Sequence, residues 1–404
     1  MSIFRRHIYN NLRDHITKNE ISLLIGSRQV GKTTLLKELS SELNNQGSIT
    51  FFINLERIEY KKLLDENPLN LFSLLPPQNA NRFIVFIDEI QYLNNPAKFL
   101  KLLYDEYKDT LKLVVTGSSA FYIDRKFKDS LSGRKKIFHL FPFSFSEMVE
   151  SRLGKEYIKY LQLGIEKTMA IPKIYVDKLI RLSEEYAIYG GYPKVVLESD
   201  YNEKQDILKE LATSFLKKDA FESNIRKESE FMFFVEVLAD RVGTRINRQE
   251  LSNICNVSDE TIQHFLYVLQ KSFHIYYTRP FWKSRTSEQR KMPKYFFQDN
   301  GLRNAILHDF DPIVTRSDRG ELAENMLYGL LRNHFDREQI QYWMNKDQKE
   351  VDFIINKKSA IEVKFSENLI KKSKYKLFTT MYPDIHFQFV TFKKSRDYKA
   401  LWMI

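Results

Sequence analysis

The stretch ISLLIGSRQVGKTTLLKEL, residues 21–39, constrains this chain more than any other. Five apolar residues read as a buried parallel strand. Gly26-Ser27-Arg28-Gln29-Val30-Gly31-Lys32-Thr33-Thr34 reads as a loop, and TTLLKELSSEL has helical spacing. Glycines let backbone N–H groups wrap phosphate oxygens, and the helix N-terminus adds the positive end of a dipole. In this P-loop pattern Lys32 reaches the β- and γ-phosphates and the Thr33 hydroxyl ligates Mg²⁺. A degenerate loop that binds nothing is the bland alternative, and the strand–loop–helix context makes it a poor one. The expected ligands are therefore ATP and Mg²⁺, held by residues 26–34.

RFIVFIDEIQYL, residues 82–93, supplies a second buried strand that ends in Asp88-Glu89. Ligands of open α/β sheets bind at that strand end. Asp88 is placed to hold Mg²⁺ through its water shell, and Glu89 to polarise the attacking water. LKLVVTGSSA, 111–120, is a third strand ending in small polar residues. FFINL (51–55) and KIFHLF (136–141) complete a five-stranded parallel sheet.

These segments resemble the AAA+ ATPases. The resemblance implies that a polar residue at the end of the third strand, Thr116 or Ser118, touches the γ-phosphate and attacking water. It also implies that Arg134, in LSGRKKIFHLF, senses the γ-phosphate, commonly from a neighbouring subunit; membership of a solvated basic run explains Arg134 about as well. A helical lid is implied over residues 150–228, with Gly190-Gly191 of GGYP setting a turn rather than touching ligand.

Residues 229–285 read as winged-helix-like. In INRQELSNICNVSDETIQHFLYVLQKSFHIYYTRPF (246–281), a short helix, a turn, a second helix and a wing-like ribbon follow one another. Facing DNA, the second helix would expose Asp259, Glu260, Gln263, His264 and Lys271. Two acids at its start suit phosphates poorly, so packing or protein contact is an equal use.

In residues 286–404, RGELAENMLYGLLRNHF (319–335) is amphipathic and carries Glu321 and Glu324 one turn apart, so that one of them can share the inward face. KEVDFIINKKSAIEVK (349–364) then gives two strands with Asp352, Glu362 and Lys364. Strand residues at i and i+2 share a face, so Glu362 and Lys364 project together, with Asp352 beside them. Helix with Glu, strand with Asp, strand with Glu-x-Lys resembles the PD-(D/E)XK nuclease-like superfamily, although Val351 stands where that pattern has Pro. The resemblance implies a second Mg²⁺ or Mn²⁺ on Glu324, Asp352 and Glu362, with catalytic help from Lys364. Carboxylate oxygens are the hard donors these ions prefer. The polar face of an ordinary sheet is the plain alternative.

Together these motifs resemble bacterial and archaeal AAA+-type ATPases that carry an uncharacterised nuclease-like C-terminal domain. The expected fold is α/β and multidomain: ATPase core at 1–149, lid at 150–228, winged-helix-like segment at 229–285 and nuclease-like domain at 286–404. The net charge of +11 includes Arg125-Lys126-Lys128, Arg134-Lys135-Lys136, Lys283-Arg285, Arg290-Lys291-Lys294 and Lys371-Lys372-Lys374-Lys376. Clustered positive charge suits nucleic acid, DNA before RNA; a lysine-rich soluble surface suits it equally. A homo-oligomer and a protein partner are both compatible. No apolar run is long enough to cross a bilayer, and Cys255 is the single cysteine, so a reducing cytoplasm is expected. The rival function is a non-cleaving ATP-dependent switch.

Overall fold

The computed structural model describes residues 4–76, 82–117, 131–161, 172–282, 292–393, 395 and 397–404. Ser118 and the clusters Arg125-Lys126-Lys128, Lys283-Arg285 and Arg290-Lys291 lie outside these residues. The chain forms two compact units, residues 1–141 with 271–273, and 142–270 with 274–404. No described helix is long and apolar enough to cross a membrane.

The first unit is built on β1 (Ile21–Ile25), β2 (Ile49–Asn54), β3 (Phe83–Asp88), β4 (Leu111–Gly117) and β5 (Lys135–His139). Every neighbouring pair is parallel, in the order β2-β3-β4-β1-β5. Strands β1 and β4 are buried along their whole length, as a parallel sheet covered on both faces requires. The expected strands are present, with ends shifted by one or two residues. All five C-terminal strand ends meet one edge, and the Lys32–Asn45 helix starts there.

The second unit carries β6 (Ile275–Pro280), β7 (Lys294–Phe297), β8 (Ile340–Met344), β9 (Glu350–Ile355), β10 (Ser359–Lys364), β11 (His386–Thr391) and β12 (Lys399–Ala400). They form one sheet in the order β12-β11-β10-β9-β8-β6-β7. The expected wing segment is β6. Its first half pairs antiparallel with β7, and its last residues pair parallel with β8. The wing-like and C-terminal segments therefore share a sheet across the expected 285/286 boundary. The two helices before it form as read, Arg248–Cys255 and Asp259–Lys271, and Ile262, Phe265, Leu266 and Leu269 are buried. Asp259, one of the two acids, sits 3.4 Å from Arg248.

A buried polar network joins GGYP to the later motifs of this unit. The Gly191 N–H donates to the Asp299 carboxylate at 2.7 Å. Gly190 adopts φ +69°, and a Cβ there would lie 2.1 Å from Asp299 Oδ1, so only glycine fits. Arg303 is buried, donates to the Ala239 carbonyl and pairs with Asp318. Asn325 of GELAEN satisfies both backbone groups of Phe297. These contacts are structural, and Gly190 closes the Lys173–Tyr189 helix, the turn position expected of the glycine pair.

Candidate functional site

At the C-terminal sheet edge of the first unit, the P-loop closes over its own lysine. The Lys32 ammonium donates to the carbonyls of Gly26 (3.1 Å) and Ser27 (2.8 Å). Burial lowers its pKa to about 8. Thr33 Oγ1 donates to Asp88 Oδ2 at 2.7 Å, which places hydroxyl and carboxylate where one Mg²⁺ can meet both. Burial raises the Asp88 pKa, opposed by the hydroxyls of Thr116 and Thr33.

Thr116 ties the acidic pair together. Its hydroxyl donates to Asp88 Oδ1 and accepts from the Glu89 N–H at 2.9 Å. Glu89 itself is in the left-handed region, φ +59° and ψ +53°. A non-glycine residue there stores about 1–3 kcal/mol of strain, and such strain gathers at functional positions. Gln91 donates to the Glu89 carboxylate. Lys32, Thr33, Asp88, Glu89 and Thr116 are thus brought to one edge. Arg28 is half-buried, whereas Gln29 and Thr34 are exposed.

Arg134 is elsewhere. It precedes β5, whose first residue pairs with Ile21 at the start of β1. The P-loop leaves the other end of β1, about 13 Å along the strand at roughly 3.3 Å per residue. Arg134 forms an ion pair with Asp105 at 2.6 Å. Its own chain's P-loop is out of reach.

Sequence reasoning missed Arg6. Its buried guanidinium donates to the carbonyls of Val30 in the P-loop and Phe141 after β5, both at 2.8 Å. Next to it, a Cβ on Gly26 would lie 2.0 Å from the Leu140 carbonyl, so this position too demands glycine. Arg6 lies far from the motif in sequence, and no spacing rule points to it.

In the second unit, Asp352 and Glu362 lie side by side on β9 and β10. The Asp352 N–H donates to Glu362 Oε2 at 3.2 Å, and the Val363 N–H donates to Asp352 Oδ2 at 2.8 Å. Lys364 pairs with Glu362, and the Tyr375 hydroxyl donates to Glu362 Oε1 at 2.6 Å. Both acids are buried, so this hairpin is no solvent-facing ribbon. The chain turns between the strands at Asn356 and Lys357, both left-handed.

The carboxylates that converge differ from the expected set. Oxygens of Glu324, Glu350 and Asp352 lie within 4.8 Å of one another, and Glu350 takes the place expected for Glu362. Glu350 was legible, since it is two residues from Asp352 on one strand. Lys294, read as part of a basic cluster, is buried instead. It donates to Glu324 at 2.9 Å and also to Glu350. Burial alone lowers its pKa, but Glu324, Glu350 and Asp352 together raise it.

Burial pushes the pKa of Glu324 and of Glu362 up to about 8, against 4.5 for a free glutamate; Lys294 opposes this at Glu324 and Lys364 at Glu362, and Asp352 adds to both. The folded carboxyls thus keep protons that unfolded ones release, so stability falls as pH rises from about 4.5 towards 8. Urea melts followed by tryptophan fluorescence are expected to give a lower midpoint near pH 8 than near pH 6, and Glu362→Gln is expected to flatten the dependence. A wild-type midpoint that rises over this interval refutes the assignment.

Residues 18–149 match the family model of an AAA domain. With the parallel sheet and the Lys32–Thr33–Asp88–Glu89–Thr116 edge, the match defines this part of the chain as the P-loop domain of an AAA-type ATPase. Residues 180–312 and 319–401 match two domains of unknown function, DUF8612 and DUF4143. An uncharacterized protein of Haemophilus influenzae is 26% identical over 352 residues, 84% of this chain and 80% of that one. One from Methanocaldococcus jannaschii is 24% identical over 377 residues, 91% and 79% of the two chains. Among solved structures, a DNA replication initiation factor superposes with a TM-score of 0.27 at 13% identity, covering 65% of this chain and 86% of its own. The FIGL-1 AAA domain in complex with ADP gives 0.27 at 15%, covering 41% and 55%. Superpositions this weak bear on neither fold nor function.

Proposed function

We propose that the chain is an ATP-driven enzyme acting on nucleic acid, DNA before RNA, with metal-dependent cleavage in its second unit. The observation that carries this reading is the helix–β–β–β–helix–β order of residues 319–391, with β9 and β10 antiparallel and β10 and β11 parallel. That order resembles the PD-(D/E)XK core, and it supports a site made of Glu324, Glu350, Asp352, Glu362 and Lys364.

The donor set fits a hard divalent cation. Metal–oxygen distances of about 2.0–2.6 Å let one ion bridge oxygens up to about 5 Å apart, and three carboxylates meet that limit. Glu324, Glu350 and Asp352 would hold Mg²⁺ or Mn²⁺, which supplies an activated water and charge for the scissile phosphate. Lys364 would neutralise charge or position that water, its ammonium stabilised by Asp352 and Glu362 despite burial. Lys294 would give up its hydrogen bonds to the same carboxylates. In the first unit, Thr33 and Asp88 would hold the Mg²⁺ of bound ATP, and Glu89 would act as the base. Arg134, at the far sheet edge, would act on the nucleotide of an adjacent subunit, which makes a homo-oligomer part of the reading.

A second reading rests on Lys294. An ammonium already among the carboxylates serves as a fixed counter-ion, and the chain is then a switch that engages DNA or a protein without cutting. Incubation of single-stranded, duplex and branched DNA with Mg²⁺ or Mn²⁺ separates the two. Cleavage is expected, and Asp352→Ala and Lys364→Ala are each expected to lose it by about 100-fold or more, the scale of a lost catalytic group. Cutting that survives in both variants sinks the assigned site. Absence of cutting on every substrate supports the switch.

A further inference from the structure

The second unit has a cleft of about 690 Å³ that the ATPase edge and the carboxylates do not use. Its walls are the 372–376 segment, β11 and residues 397–399. Lys372, Lys376 and Lys399 bring positive charge, Phe389 and Tyr398 bring half-buried aromatic rings, and Tyr375, a buried core residue, contributes to the wall. The rings are not stacked on one another. Tyr375 and Phe389 meet at 78° with centroids 5.1 Å apart, and Phe389 and Tyr398 at 79° and 5.9 Å. The Lys372 ammonium lies 5.7 Å from the Tyr398 centroid. Strand β12 pairs with β11 only at Val390 and Thr391, so the stretch of β11 that lines the cleft lies beyond that pairing.

We propose that this cleft binds single-stranded nucleic acid, with bases against Phe389 and Tyr398 and phosphates on the lysines. The proposal rests on the nucleic-acid reading above and adds a binding site and a strand preference to it. Aromatic faces among ammonium groups accept any base, but only an unstacked one presents its π-face. A duplex keeps its bases stacked and would use the lysines alone. An acidic peptide would likewise leave the rings unused. Asp397 adds one carboxylate, which suits an exocyclic amine rather than a phosphate. Tyr375 belongs to the cleft wall and donates to Glu362, so a bound strand would lie next to the carboxylates.

The test is fluorescence anisotropy of the full chain with dye-labelled oligothymidylate and with a duplex of equal length, in EDTA so that no strand is cut. The single strand is expected to bind more tightly. Tyr398→Ala is expected to weaken it by about 5- to 150-fold, the range of one lost base stack. Lys372→Glu with Lys376→Glu, both exposed, is expected to flatten log K against log salt by about 1.4, at roughly 0.7 per phosphate contact. Lys155→Glu, at an 88% exposed side chain outside the cleft, is expected to change nothing. Undiminished binding in the Tyr398 and lysine variants overturns the cleft but leaves the nucleic-acid reading standing. Failure of the wild type to bind either nucleic acid overturns both. Duplex preference, or displacement by polyglutamate with no effect of Tyr398→Ala, overturns the single-strand assignment.

Discussion

Glu89→Gln is expected to bind Mg-ATP as the wild type does and to turn it over about 10²–10⁴-fold more slowly, the range for a lost general base. Glu89 follows Asp88 in a strained left-handed conformation, held through Thr116 rather than through the phosphate loop. The amide keeps size and shape but cannot take a proton from water. Lys32→Ala is expected to behave differently and lose binding itself, because its ammonium belongs to the loop that cradles phosphate. Steady-state phosphate release, read with a fluorescent-nucleotide titration, separates the two. Wild-type turnover in Glu89→Gln rules out that residue as the base, and wild-type turnover in Lys32→Ala rules out the P-loop as the catalytic site.

Arg303→Ala carries the largest expected loss of stability, about 3–5 kcal/mol, the cost of removing one partner from a buried ion pair. Arg303 is 1% exposed, and its removal leaves the Ala239 carbonyl without that donor and Asp318 with Arg316 alone of its two arginines. The three tryptophans, Trp282, Trp343 and Trp402, all belong to the second unit. Urea unfolding followed by their fluorescence therefore reports this unit alone. A drop in the midpoint without a change in slope is the expected signature. A loss under about 1 kcal/mol, the typical size of a single neutral hydrogen bond, contradicts a central role for the ion pair.

The first unit was largely legible because its chemistry is local in sequence. A buried parallel strand reads as a continuous apolar run, and phosphate binding demands Gly, Lys and Thr at fixed spacing. Asp88 and Glu89 follow from the end of such a run. Arg6 was not legible, since its targets are two backbone carbonyls, one of them 135 positions away. The second unit was half legible. Alternation placed Asp352, Glu362 and Lys364 together, and the helix with Glu324 preceded them as expected. Nothing in RKMPKYFF marks Lys294 as buried, because a lysine among basic neighbours reads as surface until its strand is placed against Glu324 and Glu350. The wing-like segment is hard to read for a related reason. A ribbon after two helices looks the same in sequence whether its edges meet solvent or further strands.

The grip of Arg6 on Val30 and Phe141 bears on where the ATPase begins and ends. Residues 18–149 match the AAA domain, yet the donor for those two carbonyls comes from ahead of that span. A fragment trimmed to the matched boundaries would retain each signature residue named at the nucleotide edge and still lose the tie between its phosphate loop and the strand exit. By this contact the packing around the phosphate loop extends back to Arg6, and a family boundary drawn from sequence likeness does not coincide with a structural one.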